Sequence, residues 1–228
     1  MEHQSRIKWT TYVLERKIPE FNRNALEALR QPLESGEAAV ARVQAHVVYP
    51  ARFQMIAAMN PCRCGYLDDP ALACGRAPKC AVDYQSKISG PLYDRMDLHV
   101  DVPAVSARDL SLPAPTEKSA DVAARVLAAR EIQAERYTRL GAPAAVRVNA
   151  RADGKILEAA VALDASGRTL MERATDRMRL SARGYHRVLR VARTLADLEG
   201  AADVAGNHIA EALTYRRMSP HIAMTAAG

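Results

Sequence analysis

The 228-residue sequence contains no phosphate-binding loop of the form G-x-x-x-x-G-K-[ST]. This absence excludes nucleotide binding through a P-loop within the sequence. No apolar run reaches the roughly 18 residues of a membrane span, and no basic and apolar leader opens the chain. We therefore expect a cytoplasmic protein without a membrane partner. Aromatic residues make up only 5% of the chain, which favours packed helices over a β-sandwich.

Cysteine is absent except in one short segment, which contains Cys62, Cys64, Cys74 and Cys80. In a reducing compartment such clustering favours a metal over disulfides. The spacing, C-x-C, nine residues and then C-x5-C, differs from the standard zinc patterns. Two hypotheses remain: a tetrahedral zinc site that closes a loop, or reduced thiols packed tightly without metal.

The charge balance is moderately basic, with 32 lysines and arginines against 26 acidic residues and a formal net charge of +6. This balance permits a polyanionic partner such as DNA or a nucleotide, although many basic proteins bind neither. The length allows one large domain or two small ones.

The stretch FQMIAAMNPCRC (53–64) is the feature around which the chain is organised. Its apolar run stops at Asn60-Pro61, and proline disfavours the helical region for the residue before it. We predict a buried strand that ends at Asn60, whose amide then lies at the strand end where open α/β sheets bind ligands. The alternative is a strand followed by an ordinary Asn-Pro turn.

Periodicity predicts the remaining elements. Residues 22–35 form a helix that Pro32 kinks or ends early, 39–48 alternate with the two-residue period of a strand or a hairpin, and 98–102 alternate as a strand. Helical spacing recurs over 119–140, 164–178, 181–198 and 209–215, which predicts a helical bundle. The predicted organisation is an unassigned segment 1–17, a core 18–110 with a cysteine-rich loop 61–80, a linker 111–118, a helical domain 119–217 and a tail 218–228.

Arg95 precedes the predicted strand 98–102 and so lies at the rim of the predicted sheet. The alternative is an ion pair with Asp94 or Asp97, worth about 0 to 1 kcal/mol if it is exposed.

A second set of arginines, Arg183, Arg187 and Arg190, recurs at helical spacing and shares one helix face. Such a face is ordinarily a solvated basic stripe. The functional alternative is a stripe that faces phosphate, because the guanidinium fork matches phosphate oxygens.

Five segments, taken in order, resemble the carboxyl-terminal half of magnesium-chelatase-like AAA+ ATPases of the YifB or ComM (competence) family. They are PEFNRNALEALRQPLESG (19–36), YPARFQMIAAMNPCRCGY (49–66), YQSKISGPLYDRMDLHVDVP (84–103), LSARGYHRVLRVARTLADLEG (180–200) and HIAEALTYR (208–216). Order and spacing carry the resemblance, and no single motif does. It implies an α/β fold: a partial AAA+ P-loop ATPase core with an incomplete parallel sheet, followed by an all-α helical lid domain.

The resemblance also implies roles for three residues. Asn60 matches the sensor-1 residue that positions the attacking water or contacts the γ-phosphate, and Arg183 matches the sensor-2 arginine of the lid. Arg95 matches the arginine finger, which acts on the nucleotide of the neighbouring subunit. Full-length members are implied to bind ATP and Mg²⁺, to form hexameric rings and to drive DNA branch migration in natural transformation. The expected partners are further copies, a full-length homologue in a ring, and DNA.

The sequence departs from the family where an Asp-Glu pair should precede the Pro-Glu-Phe segment. Arg16 and Lys17 stand there instead, and two cations repel the metal that the acidic pair would hold. We therefore expect a truncated family member with a foreign segment 1–17 that does not hydrolyse ATP alone.

Two other functions remain open at this stage. One is a non-catalytic module that binds DNA or partner subunits. The other is an ATPase subunit of the magnesium chelatase of tetrapyrrole synthesis, although the C-x-C loop after Asn60 resembles the competence branch better.

Overall fold

A computed structural model describes residues 11–14, 17–42, 45–67, 71–113 and 116–216. They form two compact units, the first reaching Met96 and the second starting at Asp97. The predicted tail 218–228, most of the segment 1–17 and part of the linker lie outside the described residues. Within the described ranges, no helix is both long and apolar enough to cross a membrane.

The first unit contains four short strands in two separate pairs. The strands are β1 (Thr11–Leu14), β2 (Glu37–Arg42), β3 (Ala45–Pro50) and β4 (Gln54–Ala57). β1 and β4 run parallel, with Thr11 opposite Gln54 and Leu14 opposite Ala57. β2 and β3 form an antiparallel hairpin. Of the two alternatives that the two-residue alternation left open over 39–48, a strand or a hairpin, the structure shows the hairpin.

The helices of the first unit are short. They are α1 (Arg23–Ala28), α2 (Arg30–Ser35), α3 (Lys79–Gln85) and α4 (Gly90–Tyr93). α1 and α2 occupy the segment predicted as one helix and are separated at Leu29. Pro32 accounts for the interruption, because it has no N–H for the carbonyl of Ala28 and its ring crowds that carbonyl. Gly36, with φ 72°, ends α2 in the left-handed conformation.

An apolar core holds the first unit together. Its buried members are Ile18, Leu26, Ile88, Leu92 and Tyr93. Met55 and Ala57 of β4 pack against this core. The N–H of Ile18 donates to the carbonyl of Ala58 at 2.9 Å, so the short 3-10 turn Ile18–Glu20 is tied to the end of β4.

The second unit is helical. Its helices are α5 (Ala107–Leu110), α6 (Ser119–Arg139), α7 (Gly154–Ala160), α8 (Ala165–Met178), α9 (Ala182–Glu199) and α10 (Gly206–Thr214). α6, α8, α9 and α10 confirm the four helices predicted from periodicity, whereas α5 and α7 were not predicted.

The strand predicted at 98–102 is wrong. Residues 98–106 have irregular backbone, and Val100 and Val102 are exposed. Alternating hydrophobicity makes a strand only where a neighbouring strand satisfies the backbone, and within the described residues none pairs with this segment. The N–H of His99 donates instead to the carbonyl of Tyr215 at 2.8 Å.

The core of the second unit forms where α9 packs against α6 and α10, and where α10 packs against α8. α9 contributes Val188, Leu189, Ala192 and Ala196, and α8 contributes Met171. The alanines allow neighbouring helices to approach closely. These residues are the core-facing positions of the apolar periodicity in the sequence.

A buried polar network joins α6 and α9 beside this core. The Asp197 side chain is fully buried and accepts hydrogen bonds from Arg136, from Arg193 Nε at 3.1 Å and from Asn149 Nδ2 at 2.8 Å. The Tyr137 hydroxyl donates to Asn149 Oδ1 at 2.8 Å. Burial raises the pKa of Tyr137 to about 12, so this hydroxyl stays protonated and remains a donor.

Asp164 caps the first turn of α8. Its carboxylate accepts hydrogen bonds from the N–H of Gly167 at 2.6 Å and from the hydroxyl of Ser166. These bonds, the Gly167 bond first, hold the pKa of Asp164 below its usual value. A carboxylate whose pKa is lower in the folded state stabilises the fold above its unfolded pKa and loses that contribution as pH falls through the folded pKa.

The cap therefore predicts an acid-sensitive contribution to stability. The urea midpoint of Asp164→Asn should fall less steeply than that of the wild type between about pH 5 and pH 3, because asparagine caps helices without titrating. Asp164→Ala should lower the urea midpoint at pH 7, because alanine cannot cap the helix. Parallel pH profiles for wild type and Asp164→Asn would contradict the assignment.

Candidate functional site

Asn60 lies in irregular backbone three residues beyond the end of β4, so the prediction that it ends the strand is wrong. Its side chain is half-buried beside Gly65, where an added Cβ would come within 3.2 Å of Asn60 Nδ2. Gly65 has φ +88°, a conformation that favours glycine. The next carbonyl, that of Pro61, accepts a hydrogen bond from Gln85 Nε2 at 2.7 Å, which ties the turn to α3.

β4 is not the buried strand that the apolar run predicts. Its residues alternate between exposed and half-buried, and Ile56 is 47% exposed. The reason is tertiary, because within the described residues β4 has one strand neighbour, and Met55 and Ala57, on one face of β4, pack against the core.

Arg95 follows α4, and its guanidinium is held inside the first unit. Nε donates to the carbonyl of Arg30 at 3.1 Å, Nη1 donates to the carbonyl of Pro91 at 2.8 Å, and Nη2 pairs with Glu34. The side chain is only 9% exposed. The ion pair considered from the sequence, with Asp94 or Asp97, is therefore replaced by one with Glu34. Sequence reasoning missed Glu34 because 61 residues separate it from Arg95, and no local spacing signals the pair.

The three arginines of α9 do not form a solvated stripe. Arg183 is exposed near the start of the helix, whereas Arg187 is buried and pairs with Asp97, and Arg190 Nε donates to the carbonyl of Ala152 at 2.8 Å. The i, i+4, i+7 spacing places residues on one face but does not say which face points inward. Asn60 and Arg95 belong to the first unit and Arg183 to the second.

Three cysteine sulfurs come together, two from the turn that follows Asn60 and one from the start of α3. The Sγ atoms of Cys62, Cys64 and Cys80 all lie within 4.8 Å of one another, and those of Cys62 and Cys64 are 3.1 Å apart. Cys74 is half-buried and packs against this cluster. Cys62 and Cys80 are buried, and none of the four is in a disulfide.

The thiols influence one another's protonation. A hydrogen bond from Cys62 is the largest of the causes that lower the pKa of Cys64 to about 6. The hydrogen bond with Cys74, followed by burial, raises the pKa of Cys80 to about 12. Cys64 is thus more readily present as a thiolate than Cys80.

Two models of known protein families match the chain. Residues 12–110 match the sequence model described as magnesium chelatase, subunit ChlI, and residues 116–216 match the model of the ChlI carboxyl-terminal region. The chain belongs to the magnesium-chelatase-like family. The first match begins within the segment 1–17, which the sequence resemblance leaves unassigned.

The chain is also similar over most of its length to curated proteins named ComM and YifB. The chain is 40% identical over 203 residues to the "Competence protein ComM" of Haemophilus influenzae, which covers 89% of the chain. It is 38% identical over 201 residues to the "Uncharacterized protein YifB" of Salmonella typhimurium and 37% identical over 201 residues to that of Escherichia coli, each covering 88% of the chain. The aligned part spans 38% of the length of each of these relatives.

Proposed function

We propose that this chain contributes the sensing and interface residues of an ATP-driven ring motor that acts on DNA, and that it does not hydrolyse ATP alone. In the proposal, Asn60 is the sensor-1 amide, Arg95 the arginine finger and Arg183 the sensor-2 arginine. The similarity to the "Competence protein ComM" supports the competence branch, whereas the matched family model, described as magnesium chelatase, subunit ChlI, does not separate it from the tetrapyrrole alternative. The finer assignment, a partial AAA+ core followed by a helical lid, is part of the same proposal.

The residues present do not fit a magnesium–nucleotide site. The sequence has no phosphate-binding loop, and Arg16 and Lys17 occupy the positions where the family resemblance implies Asp-Glu. Arg16 lies outside the described residues, and Lys17 is half-buried directly before the 3-10 turn. A divalent cation needs oxygen ligands, so this chain is proposed to act on a nucleotide held by another subunit.

The observation that carries the proposal is the anchored guanidinium of Arg95. Glu34 offers it a carboxylate, and the carbonyls of Arg30 and Pro91 fix its orientation. A phosphoryl group presents oxygens that match the same planar fork. In the proposed ring, Arg95 exchanges Glu34 for the phosphoryl group of the adjacent subunit.

Phosphate release tests the two halves of this proposal. The purified chain with Mg-ATP should release no phosphate above a protein-free blank. The chain is then mixed in large excess with the H. influenzae relative. When the chain in this mixture carries Arg95→Ala, the rate of phosphate release should be lower than with the wild-type chain. The decrease should approach the ~10³-fold that is typical of a lost arginine finger.

Two variants separate the finger from general damage. Arg23→Ala removes an exposed arginine from α1 and should leave the mixture unchanged, whereas Glu34→Ala frees Arg95 and should preserve turnover. Circular dichroism verifies that each variant folds. Magnesium-dependent phosphate release by the chain alone, or equal turnover with wild type and Arg95→Ala, would overturn the proposal.

A second candidate function is a non-catalytic module that binds DNA or partner subunits, and the net charge of +6 favours it. The sequence supported this alternative through the basic stripe on α9. Because Arg187 and Arg190 face inward, most of that stripe is not available to DNA. Salt-dependent DNA binding without any effect on the relative's turnover would favour this alternative.

A further inference from the structure

We propose that the four cysteines of the first unit bind one structural zinc ion, which fixes the turn that carries Asn60. The ligands are the thiolates of Cys62, Cys64, Cys74 and Cys80. Sequence spacing alone left this site balanced against reduced thiols without metal. The arrangement of the sulfur atoms and of the surrounding backbone favours the metal.

The positions of three of the four sulfurs fit a tetrahedral zinc site. Four sulfurs at about 2.3 Å from zinc lie about 3.8 Å from one another. The Sγ atoms of Cys62, Cys64 and Cys80 are within 4.8 Å of one another, and the Cys62–Cys64 pair is 3.1 Å apart. Small rotations of these side chains would bring three sulfurs to bonding distance. Cys74 does not belong to this group of three sulfurs but packs against it, and we assign it as the fourth ligand after a larger movement of its side chain.

The backbone around the cysteines is arranged to present them together. The N–H of Gly65 donates to the carbonyl of Cys62 at 3.2 Å, which closes a tight turn with Cys64 inside it. The N–H of Ala77 donates to the carbonyl of Cys74 at 3.0 Å, and the chain then enters α3, which carries Cys80. Two turns from separate parts of the loop thus converge on one point.

Four thiolates would close the coordination sphere, which is typical of a structural zinc site rather than a catalytic one. Cys62 and Cys80 are buried, and a buried thiolate is stable only when a cation compensates its charge, which zinc would do for both. A zinc ion also links the turn after β4 to α3, a connection that the first unit otherwise makes through the Gln85–Pro61 hydrogen bond.

The link has a consequence for Asn60. Gly65 lies against the Asn60 amide, and Pro61 is the residue between Asn60 and Cys62. A metal that fixes Cys62 and Cys64 therefore fixes the backbone on which Asn60 stands. We assign Cys62 and Cys64 as positioning residues for Asn60 as well as metal ligands.

Metal analysis of the untagged full chain, purified without chelators, tests the site. Elemental analysis should find about one zinc per chain. Cys62→Ser, Cys74→Ser and Cys80→Ser should each lose most of it, whereas His46→Ala, which changes an exposed histidine outside the cluster, should retain it. Replacement of zinc by Co²⁺ should give the intense visible absorption of a tetrahedral thiolate site.

A second measurement covers variants that fail to fold. In the wild-type chain, a thiol reagent should react slowly until a chelator removes the metal, after which four thiols should react and amide hydrogen exchange should rise across 54–67. A folded wild-type chain with four reactive thiols and no zinc or cobalt uptake would overturn the proposal. Full zinc retention by Cys74→Ser would overturn the four-cysteine assignment, and disulfides found by mass spectrometry in the freshly purified chain would favour a redox pair instead.

Discussion

Asp197→Ala is expected to destabilise the helical unit by about 3 to 5 kcal/mol, the usual cost of removing one partner from a buried ion pair. The substitution leaves Arg136 and Arg193 buried without their shared carboxylate, and Asn149 Nδ2 loses one of its two acceptors, the Asp197 oxygen at 2.8 Å. A loss of this size should lower the thermal midpoint by roughly 10 °C or more. Urea unfolding followed by the helical circular dichroism signal provides the measurement.

Asp176→Ala is the matched control, because Asp176 is an exposed aspartate on α8. It should change stability by less than about 0.5 kcal/mol, as ordinary surface substitutions do. Hydrogen exchange resolved by peptide should localise the loss from Asp197→Ala to residues 119–216. Equal midpoints for the two variants would show that the network contributes nothing to stability.

Leu92→Ala should have a comparable effect on the first unit. Leu92 is fully buried among the five residues of that core, and truncating a buried leucine to alanine costs about 2 to 5 kcal/mol. Because the unit has two-stranded sheets and short helices, little else compensates for the lost contacts. Hydrogen exchange of peptides from 17–96 should report faster exchange throughout this unit.

Leu72→Ala provides the comparison, since Leu72 is 57% exposed in the same unit. It should leave exchange unchanged, and the second unit should be unaffected by either variant. If Leu92→Ala unfolds both units together, they do not unfold independently. If it leaves exchange in 17–96 unchanged, the core assignment is wrong.

The sequence predicted the helices and strands whose formation depends on residues close together in the chain. The helices α6, α8, α9 and α10 follow from apolar spacing and from stop signals such as Gly200. Two-residue alternation predicted extended backbone at β2 and β3, as a strand or a hairpin, and the pairing of the two strands decided for the hairpin. Pro32 correctly signalled an interruption, although the break falls at Leu29. The strand at 98–102 failed because alternation describes a strand's faces but does not provide its neighbour.

The candidate site shows the same division. Asn60, Arg95 and the cysteines were identifiable from their surroundings in the sequence and from the family resemblance. Their partners were not, since Glu34 and Asp97 reach Arg95 and Arg187 across 61 and 90 residues. No spacing rule connects positions so far apart.

By itself, the sequence determined that the chain has a helical carboxyl-terminal region and a cysteine-rich turn after an apolar strand, and that it resembles the magnesium-chelatase-like family. Tertiary structure alone decided that Arg95 is held by Glu34, that Arg187 and Arg190 point inward, and that the sulfurs of Cys62, Cys64 and Cys80 come together. The physical reason is that periodicity and turn chemistry act over a few residues. Burial and ion pairing depend on which distant segments pack together.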